Sequence, residues 1–468
     1  MRYVSTRGEA PAIGFLDAVL AGLAPDGGLY VPEAWPTFTP AEIAAFDGKP
    51  YAEVAALVIG KFAGADLAYE DLLEMTQEAY SSFTHPCVTP VKALYPGIHL
   101  LELFHGPTLA FKDVAMQILA RLYDKALKAQ RRTLTIVAAT SGDTGGAAVE
   151  AFRGASNARM LVLFPDGHIS EVQRRFMTTA TEANVRTVAV QGSFDDCQTI
   201  VKAMFQDRVL RQSVDLSGVN SINWARIAAQ AVYYFTSAAA LGAPHRKVSF
   251  VVPTGNFGDA FAGFVASRMG LPIERIVAAT NSNDIVARAL QTGRYERGVV
   301  QHTQSPAMDI QIASNFERLY FEATKREALE TARAFTAFTV TGSVAIPPQA
   351  FSTMSELFSG EAVDEGETAR AIVATLNETG ELIDPHTAVA VAAAKRYRAS
   401  KKAGSAPLIV LSTAHPAKFP EAVHAAAGME PGLPAAAVGI GEKPERFDRL
   451  PNDAEAVKAY LKSFAGAQ

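Results

Sequence analysis

Apolar positions in the first ninety residues recur at helical spacing, and further on they give way to short unbroken apolar runs. Ile13 to Leu23 carries the first helical pattern, and Pro25-Asp26-Gly27-Gly28 breaks it. Pro32, Pro36 and Pro40 follow, and two more short helical patterns run through to Tyr80. From about Ile98 the pattern changes. β-rich runs at Ile98 to Phe104, Leu134 to Ala138, Met160 to Phe164, Thr187 to Val190, Val248 to Val252, Ile276 to Ala279 and Leu408 to Leu411 show no polar alternation. Helical patterns such as Val114 to Leu127 and Ala225 to Ala240 lie between them. Strands apolar on both faces and separated by helices predict parallel sheets covered on both sides. The expected fold class is α/β, with a mainly helical extension over residues 1–95 and two α/β domains over 96–240 and 241–468. A helix from Ala454 to Phe464 is expected to close the chain.

Composition narrows the function classes without naming one. The 468 residues are 49% hydrophobic and 19% charged, enough for a large core and too apolar for disorder. With 43 basic against 48 acidic residues the net charge is -5, which leaves no basic footprint for nucleic acid. No apolar stretch approaches the roughly 20 residues of a membrane span. The start from Met1 to Glu9 meets charge too early for a secretory core, so a cytoplasmic protein is expected. Cys87 and Cys197 form neither a CxxC nor a metal cluster; two buried thiols are expected, with one disulfide as the alternative. No metal site is expected.

In parallel α/β sheets ligands bind beyond the carboxyl ends of the strands. Lys112 follows Phe111 at such an end and opens a helix. Partial desolvation and the helix dipole both favour the neutral amine that a Schiff base needs; a solvated first-turn lysine is the alternative. Thr140-Ser141-Gly142-Asp143-Thr144-Gly145-Gly146 supplies glycines, amides and hydroxyls for an anion, yet Asp143 repels a bare phosphate unless a cation stands beside it. Gly255-Asn256-Phe257-Gly258-Asp259 repeats the strand-to-helix logic, without the lysine of a P-loop and without GxGxxG. Ser412-Thr413 is followed by His415 and Lys418, a polar site or a surface turn. Asn223 and Asp384 read equally well as helix caps, Asp384 with Pro385 behind it and His386 next. An imine-forming lysine, a phosphate-cradling turn and a hydroxyl at a third strand end together fit one cofactor, pyridoxal phosphate.

These residues, taken in order, resemble the threonine synthase family over nearly the whole chain. The matching segments are Asp26-Gly27-Gly28-Leu29-Tyr30-Val31-Pro32, Phe104-His105-Gly106-Pro107-Thr108 with Phe111-Lys112-Asp113, and Thr140 to Gly145. Further matches are Ser221 to Arg226, Gly255 to Asp259, Ser314-Asn315-Phe316-Glu317-Arg318 and Thr413 to Phe419. The resemblance implies a fold type II, tryptophan-synthase-β-like enzyme that carries pyridoxal 5'-phosphate. Its implied reaction turns O-phospho-L-homoserine and water into L-threonine and phosphate, as a monomer or homodimer. It implies that Lys112 is the catalytic, cofactor-bonding lysine. Gly255, Asn256, Phe257, Gly258 and Asp259 would form the phosphate cradle, and Thr413 would partner the ring nitrogen. Ser141, Gly142, Asp143 and Thr144 would surround the substrate's amino-acid end, and Asn223 and Arg226 its phosphate. His105, Thr108, His386 and Lys418 would line the site, with His415 beside them. A dehydratase or phospho-lyase of the same fold, and a non-catalytic ligand-binding relative, are the rival readings.

Overall fold

Two parallel sheets organise the chain in the computed structural model, which describes residues 1–400 and 404–466. The six-stranded sheet runs Phe358–Ala362, Ile273–Thr280, Val248–Pro253, Leu408–Ser412, Ile98–Glu102 and Val91–Tyr95, with only the last pair antiparallel. The five-stranded sheet runs Asp448–Pro451, Val185–Gln191, Ala158–Pro165, Leu134–Ala139 and Leu216–Ser217, all parallel. Inner strands such as Val248–Pro253 are buried at every residue, as their unbroken apolar sequence requires.

The sheets do not follow the expected division at residue 240. Ile98–Glu102 lies in the six-stranded sheet, paired with Leu408–Ser412 from 310 residues later in the sequence. Asp448–Pro451 crosses back to pair with Val185–Gln191 in the other sheet, and the helix Ala454–Gly466 packs there with it. Parallel strands need crossover connections, so chain order does not fix spatial order, and periodicity carries no trace of the exchange. The strands the pattern overlooks are polar or short: Asp448–Pro451 reads Asp-Arg-Leu-Pro, and Phe358–Ala362 holds Ser, Gly and Glu.

The N-terminal extension carries the helices Phe15–Ala21, Tyr51–Ala63 and Tyr69–Tyr80, and also an antiparallel ribbon of Tyr3–Ser5 with Tyr30–Pro32 that the helical pattern does not predict. The break at Asp26-Gly27-Gly28 is structural. The Asp26 carboxylate accepts from Ser5 Oγ at 2.8 Å and from the amides of Gly28, Ala10 and Glu9 at 2.9–3.0 Å. A Cβ on Gly28 would stand 2.2 Å from Ser5 Oγ, so only glycine fits there. Of the two thiols, Cys197 is buried and Cys87 is exposed, against the expectation that both are buried.

Arg318 ties this extension to the body of the protein. Its side chain is fully buried, and it donates to Tyr30 O at 2.9 and 3.1 Å, to Ile222 O at 2.7 Å and to Asn315 Oδ1. Next to it Glu317 accepts from Arg7 and from Thr6 Oγ1 at 2.6 Å. Arg318→Met would strand two carbonyls and an amide oxygen in the interior, each costing roughly 1–3 kcal/mol. The expected outcome in urea unfolding is a loss of at least about 2 kcal/mol; an unmoved midpoint would refute the role given to this hub.

Candidate active site

Lys112 is the first residue of the helix Lys112–Gln130, and its side chain is buried rather than solvated. Its Nζ lies 3.4 Å from Asp143 Oδ2 and 4.8 Å from the centroid of the Phe111 ring. Burial lowers the pKa of the amine; Asp143 opposes that, and the charges of Lys418 and Arg226 add to it. The balance shifts the amine toward its uncharged, nucleophilic form.

Asp143 opens the helix Asp143–Phe152 and has two cations beside it. Lys418 Nζ stands 2.9 Å from Oδ1, where Gln173 Nε2 also donates at 3.0 Å, and Lys112 faces Oδ2. Burial works to raise this carboxyl, but Lys418 and Lys112 outweigh it and hold the group well below the usual carboxylate range. Lys418 is itself buried and donates to Thr108 O at 2.7 Å. The cationic neighbour that the sequence required for Asp143 is thus a pair of lysines. Gly142 permits the arrangement: it sits at φ 130°, and a Cβ there would fall 2.5 Å from the Gln173 amide carbon. Thr140, which the sequence reading grouped with the anion-cradling hydroxyls, instead fixes the turn by accepting from the amides of Gly142 and Gly145, both at 2.9 Å. Among the described residues the hydroxyls of Ser141 and Thr144 have no hydrogen-bond partner.

The turn Thr254–Phe257 leads from the strand Val248–Pro253 into the helix Gly258–Arg268. Phe257 takes a left-handed conformation at φ 63°, which swings the chain into the helix. Gly255 runs under the loop at Ala307, whose carbonyl would be 2.7 Å from any Cβ there. Asn315 clamps the turn, donating from its backbone and side chain to Asn256 O at 3.1 Å each. Asp259 is buried, takes the hydroxyls of Tyr233 and Tyr234 on Oδ1, and leaves Oδ2 without a partner. Burial pushes its carboxyl up to about 7 against those two hydrogen bonds.

Arg226 sits in the first turn of the helix Trp224–Ala240, buried, with Nη1 on Val219 O at 3.2 Å and Nε unpartnered. No carboxylate pairs with it among the described residues. A buried guanidinium with a free donor is a site for an anion. Thr413 follows the strand Leu408–Ser412; its carbonyl accepts from Phe111 N at 2.8 Å, which joins it to the lysine segment, and its hydroxyl has no partner among the described residues.

Other residues singled out by sequence are held by internal bonds. Asn223 caps its helix: Oδ1 accepts from Ala225 N at 3.0 Å and Nδ2 donates to Val19 O at 2.7 Å, so the cap reading describes its geometry and its amide is already spent. Thr108 donates from its amide and hydroxyl to Asp113, which burial pushes up to about 6. His105 bonds Glu102 at 2.7 Å. His386 Nδ1 meets Asp384 at 2.7 Å and Nε2 accepts from Ala307 N at 3.2 Å, steadying the loop above Gly255. His415 accepts from Ala417 N at 3.1 Å, and burial brings its pKa down to about 4.

The chain matches three family models in succession. Residues 2–80 match one described as threonine synthase N terminus, residues 89–413 one for pyridoxal-phosphate dependent enzymes, and residues 387–461 one for the threonine synthase C-terminal region. Threonine synthase of Pseudomonas aeruginosa is 47% identical over 98% of both chains. A crystal structure of PLP-bound threonine synthase from Brucella melitensis shares 51% identity over the full length of both chains with a TM-score of 0.97. Threonine synthase from yeast superposes with a TM-score of 0.93 at 37% identity, over 99% of this chain and 98% of that one.

The raised Asp259 carboxyl has a consequence for stability. In the unfolded chain this group titrates near 3.8, and in the folded protein near 7. Between those values the folded state holds a proton that the unfolded chain has released. Its contribution is therefore present below about pH 4 and lost as pH rises through about 7. Asp259→Asn keeps an acceptor for the tyrosine hydroxyls without titrating. From pH 4 to pH 7.5 the variant is expected to gain roughly 2–4 kcal/mol on the wild type in urea unfolding. A constant difference would contradict the protonated assignment.

Proposed function

The chain belongs to the threonine synthase family of pyridoxal-phosphate enzymes, and we propose that its lysine-centred site converts O-phospho-L-homoserine and water into L-threonine and phosphate. The observation that carries this reading is the buried Lys112 amine, which faces a carboxylate already satisfied by a second lysine.

The residues present fit the cofactor. Lys112 would bond its aldehyde carbon, and the backbone turn of Gly255, Asn256, Phe257 and Gly258 at the start of the helix Gly258–Arg268 would take its phosphate. The unpartnered hydroxyl of Thr413 would partner the ring nitrogen, a neutral group that would leave that nitrogen less protonated than a carboxylate does. Asp259 stands behind the phosphate turn, its carboxyl brought up to about 7 by burial, which lessens its repulsion of an anion. Pyridoxal phosphate, when bound there, supplies an electron sink for the carbanion at the substrate's α-carbon.

The chain supplies recognition and proton transfer. The free hydroxyls of Ser141 and Thr144 and the amides around Gly142 and Asp143 receive the substrate carboxylate. Arg226, with Nε uncommitted, forks onto the substrate phosphate. Asn223 holds the start of the helix on which Arg226 rides, and so aims the guanidinium. With the cofactor bound, Lys112 Nζ would be the base that takes the proton from the substrate's α-carbon. Loss of a second proton, from the β-carbon, lets the γ-phosphate leave; the same amine would return a proton at the γ-carbon, and water then adds its hydroxyl at the β-carbon and a proton at the α-carbon. His105 and Thr108 line the approach, each braced by a carboxylate. The assembly we propose is a monomer or a homodimer. Among the described residues no helix is long and apolar enough to cross a membrane, and two unpaired thiols accord with a cytoplasmic setting.

Lys112→Ala is expected to abolish borohydride-fixed attachment of the cofactor and to cut phosphate release from phosphohomoserine at least about a thousandfold. Full phosphate release from that variant would overturn the assignment. Arg226→Met is expected to lower kcat/KM by roughly a hundredfold, chiefly through KM, as loss of a buried charged hydrogen bond implies. Product analysis separates this reaction from its fold relatives: threonine and phosphate support it, whereas a keto acid and ammonia replace it with a lyase.

A further inference from the structure

We propose that Lys418 is a positioning residue whose charge occupies Asp143 and so leaves the Lys112 amine uncharged and free to react. The inference rests on the reading of Lys112 as the cofactor-bonding lysine. It starts from a geometric fact: one carboxylate lies between two buried lysines, with Lys418 on Oδ1 at 2.9 Å and Lys112 on Oδ2 at 3.4 Å. The two contacts are unequal. Lys418 has the shorter one, and it is fixed from behind by its 2.7 Å bond to Thr108 O. Gln173 steadies the same oxygen that Lys418 uses, so Asp143 is built to hold Lys418 first.

The charged groups that face Lys112 come from four elements. Asp143 opens one helix, Arg226 opens another, Lys418 stands in the turn after Leu408–Ser412, and Asp259 lies behind the phosphate turn. Asp113, beside Lys112 in sequence, feels Lys418 and is bonded to Thr108. Arg226 and Lys418 disfavour a charge on Lys112, while Asp143 favours one. Removing Lys418 subtracts a like charge and hands the whole of Asp143 to Lys112, and both changes hold Lys112 protonated. A protonated amine does not attack the aldehyde, so the rate of attachment reads the charge directly.

The test follows that rate against pH, using full-length protein stripped of cofactor and then given pyridoxal phosphate, with the adduct trapped by borohydride. Thermal unfolding of each variant checks that it is folded. Lys418→Met removes the charge, Lys418→Gln removes it while keeping donors for Thr108 and Asp143, and Lys418→Arg keeps it. The two neutral variants are expected to move the profile at least about one pH unit higher, close to a tenfold slowing at pH 7, and Lys418→Arg to follow the wild type. A folded neutral variant with an unmoved or lowered profile overturns the proposal. So does an arginine variant shifted as far as the glutamine one, because the charge would then not be the cause. If the wild type traps no adduct at any pH, the reading of Lys112 itself falls, and that result is distinct from a shift that fails to appear.

Discussion

The contact between one carboxylate and two lysines is the constraint around which the two sheets are arranged. Asp143 stands at the end of a strand of the five-stranded sheet, Leu134–Ala139. Both its lysines follow strands of the other sheet, Ile98–Glu102 and Leu408–Ser412. Those two strands are direct neighbours, in register from Leu408 opposite Ile98 to Ser412 opposite Glu102. Parallel pairing brings their carboxyl ends, and therefore both lysines, to the same edge. Taking the Asp143–Lys418 ion pair out of water is costly, and a lone buried carboxylate would not stay ionised. The cost is tolerated because each member is hydrogen-bonded: Lys418 to a carbonyl, and Asp143 to Gln173.

The same logic of buried cations explains the N-terminal extension. Arg318 spends its donors on backbone oxygens of Tyr30 and Ile222 and on the side chain of Asn315. Asn315 in turn holds Asn256 O in the turn Thr254–Phe257 and Ser221 O ahead of the Arg226 helix. One guanidinium thus couples the ribbon strand Tyr30–Pro32 to both of those segments. The extension is therefore part of the scaffold that sets the distance between the Thr254–Phe257 turn and Arg226.

How far the chain announces all this depends on the range of the interaction. The inner strands were legible because burial on both faces leaves unbroken apolar runs, and observed ends such as Leu134–Ala139 differ from the expected ones by a residue or two. That Lys112, Gly255 and Thr413 lie in turns beyond strand ends was legible because those turns are where an α/β fold places its ligands. Strand exchange between the sheets was not legible, since pairing Ile98 with Leu408 is a contact across 310 residues that no local pattern encodes. The partners of Thr140 and Gln173 were not legible, for another reason. Their roles consist of single hydrogen bonds to Gly142, Gly145 and Asp143, and a hydroxyl or amide in a polar loop gives no sign of which partner it will find. Asn223 lay between the two cases: its position before an apolar helix predicted a cap, and the cap geometry uses up the amide that a ligand would need.

Net charge and local charge point in opposite directions here, and burial accounts for the difference. The chain carries five more acidic than basic residues, yet Lys112, Lys418 and Arg226 gather at one edge of the sheets. Of the carboxyls facing them, Asp143 is matched by Lys418, and Asp259 holds its proton up to about 7 because its surroundings solvate the anion poorly. The low dielectric that silences Asp259 also magnifies the field of Arg226, whose guanidinium loses water on every side without gaining a carboxylate. A phosphorylated substrate therefore meets a positive site on a negative protein. The attraction depends on the burial of these residues, because the same residues spread over a wet surface would be screened within about 10 Å.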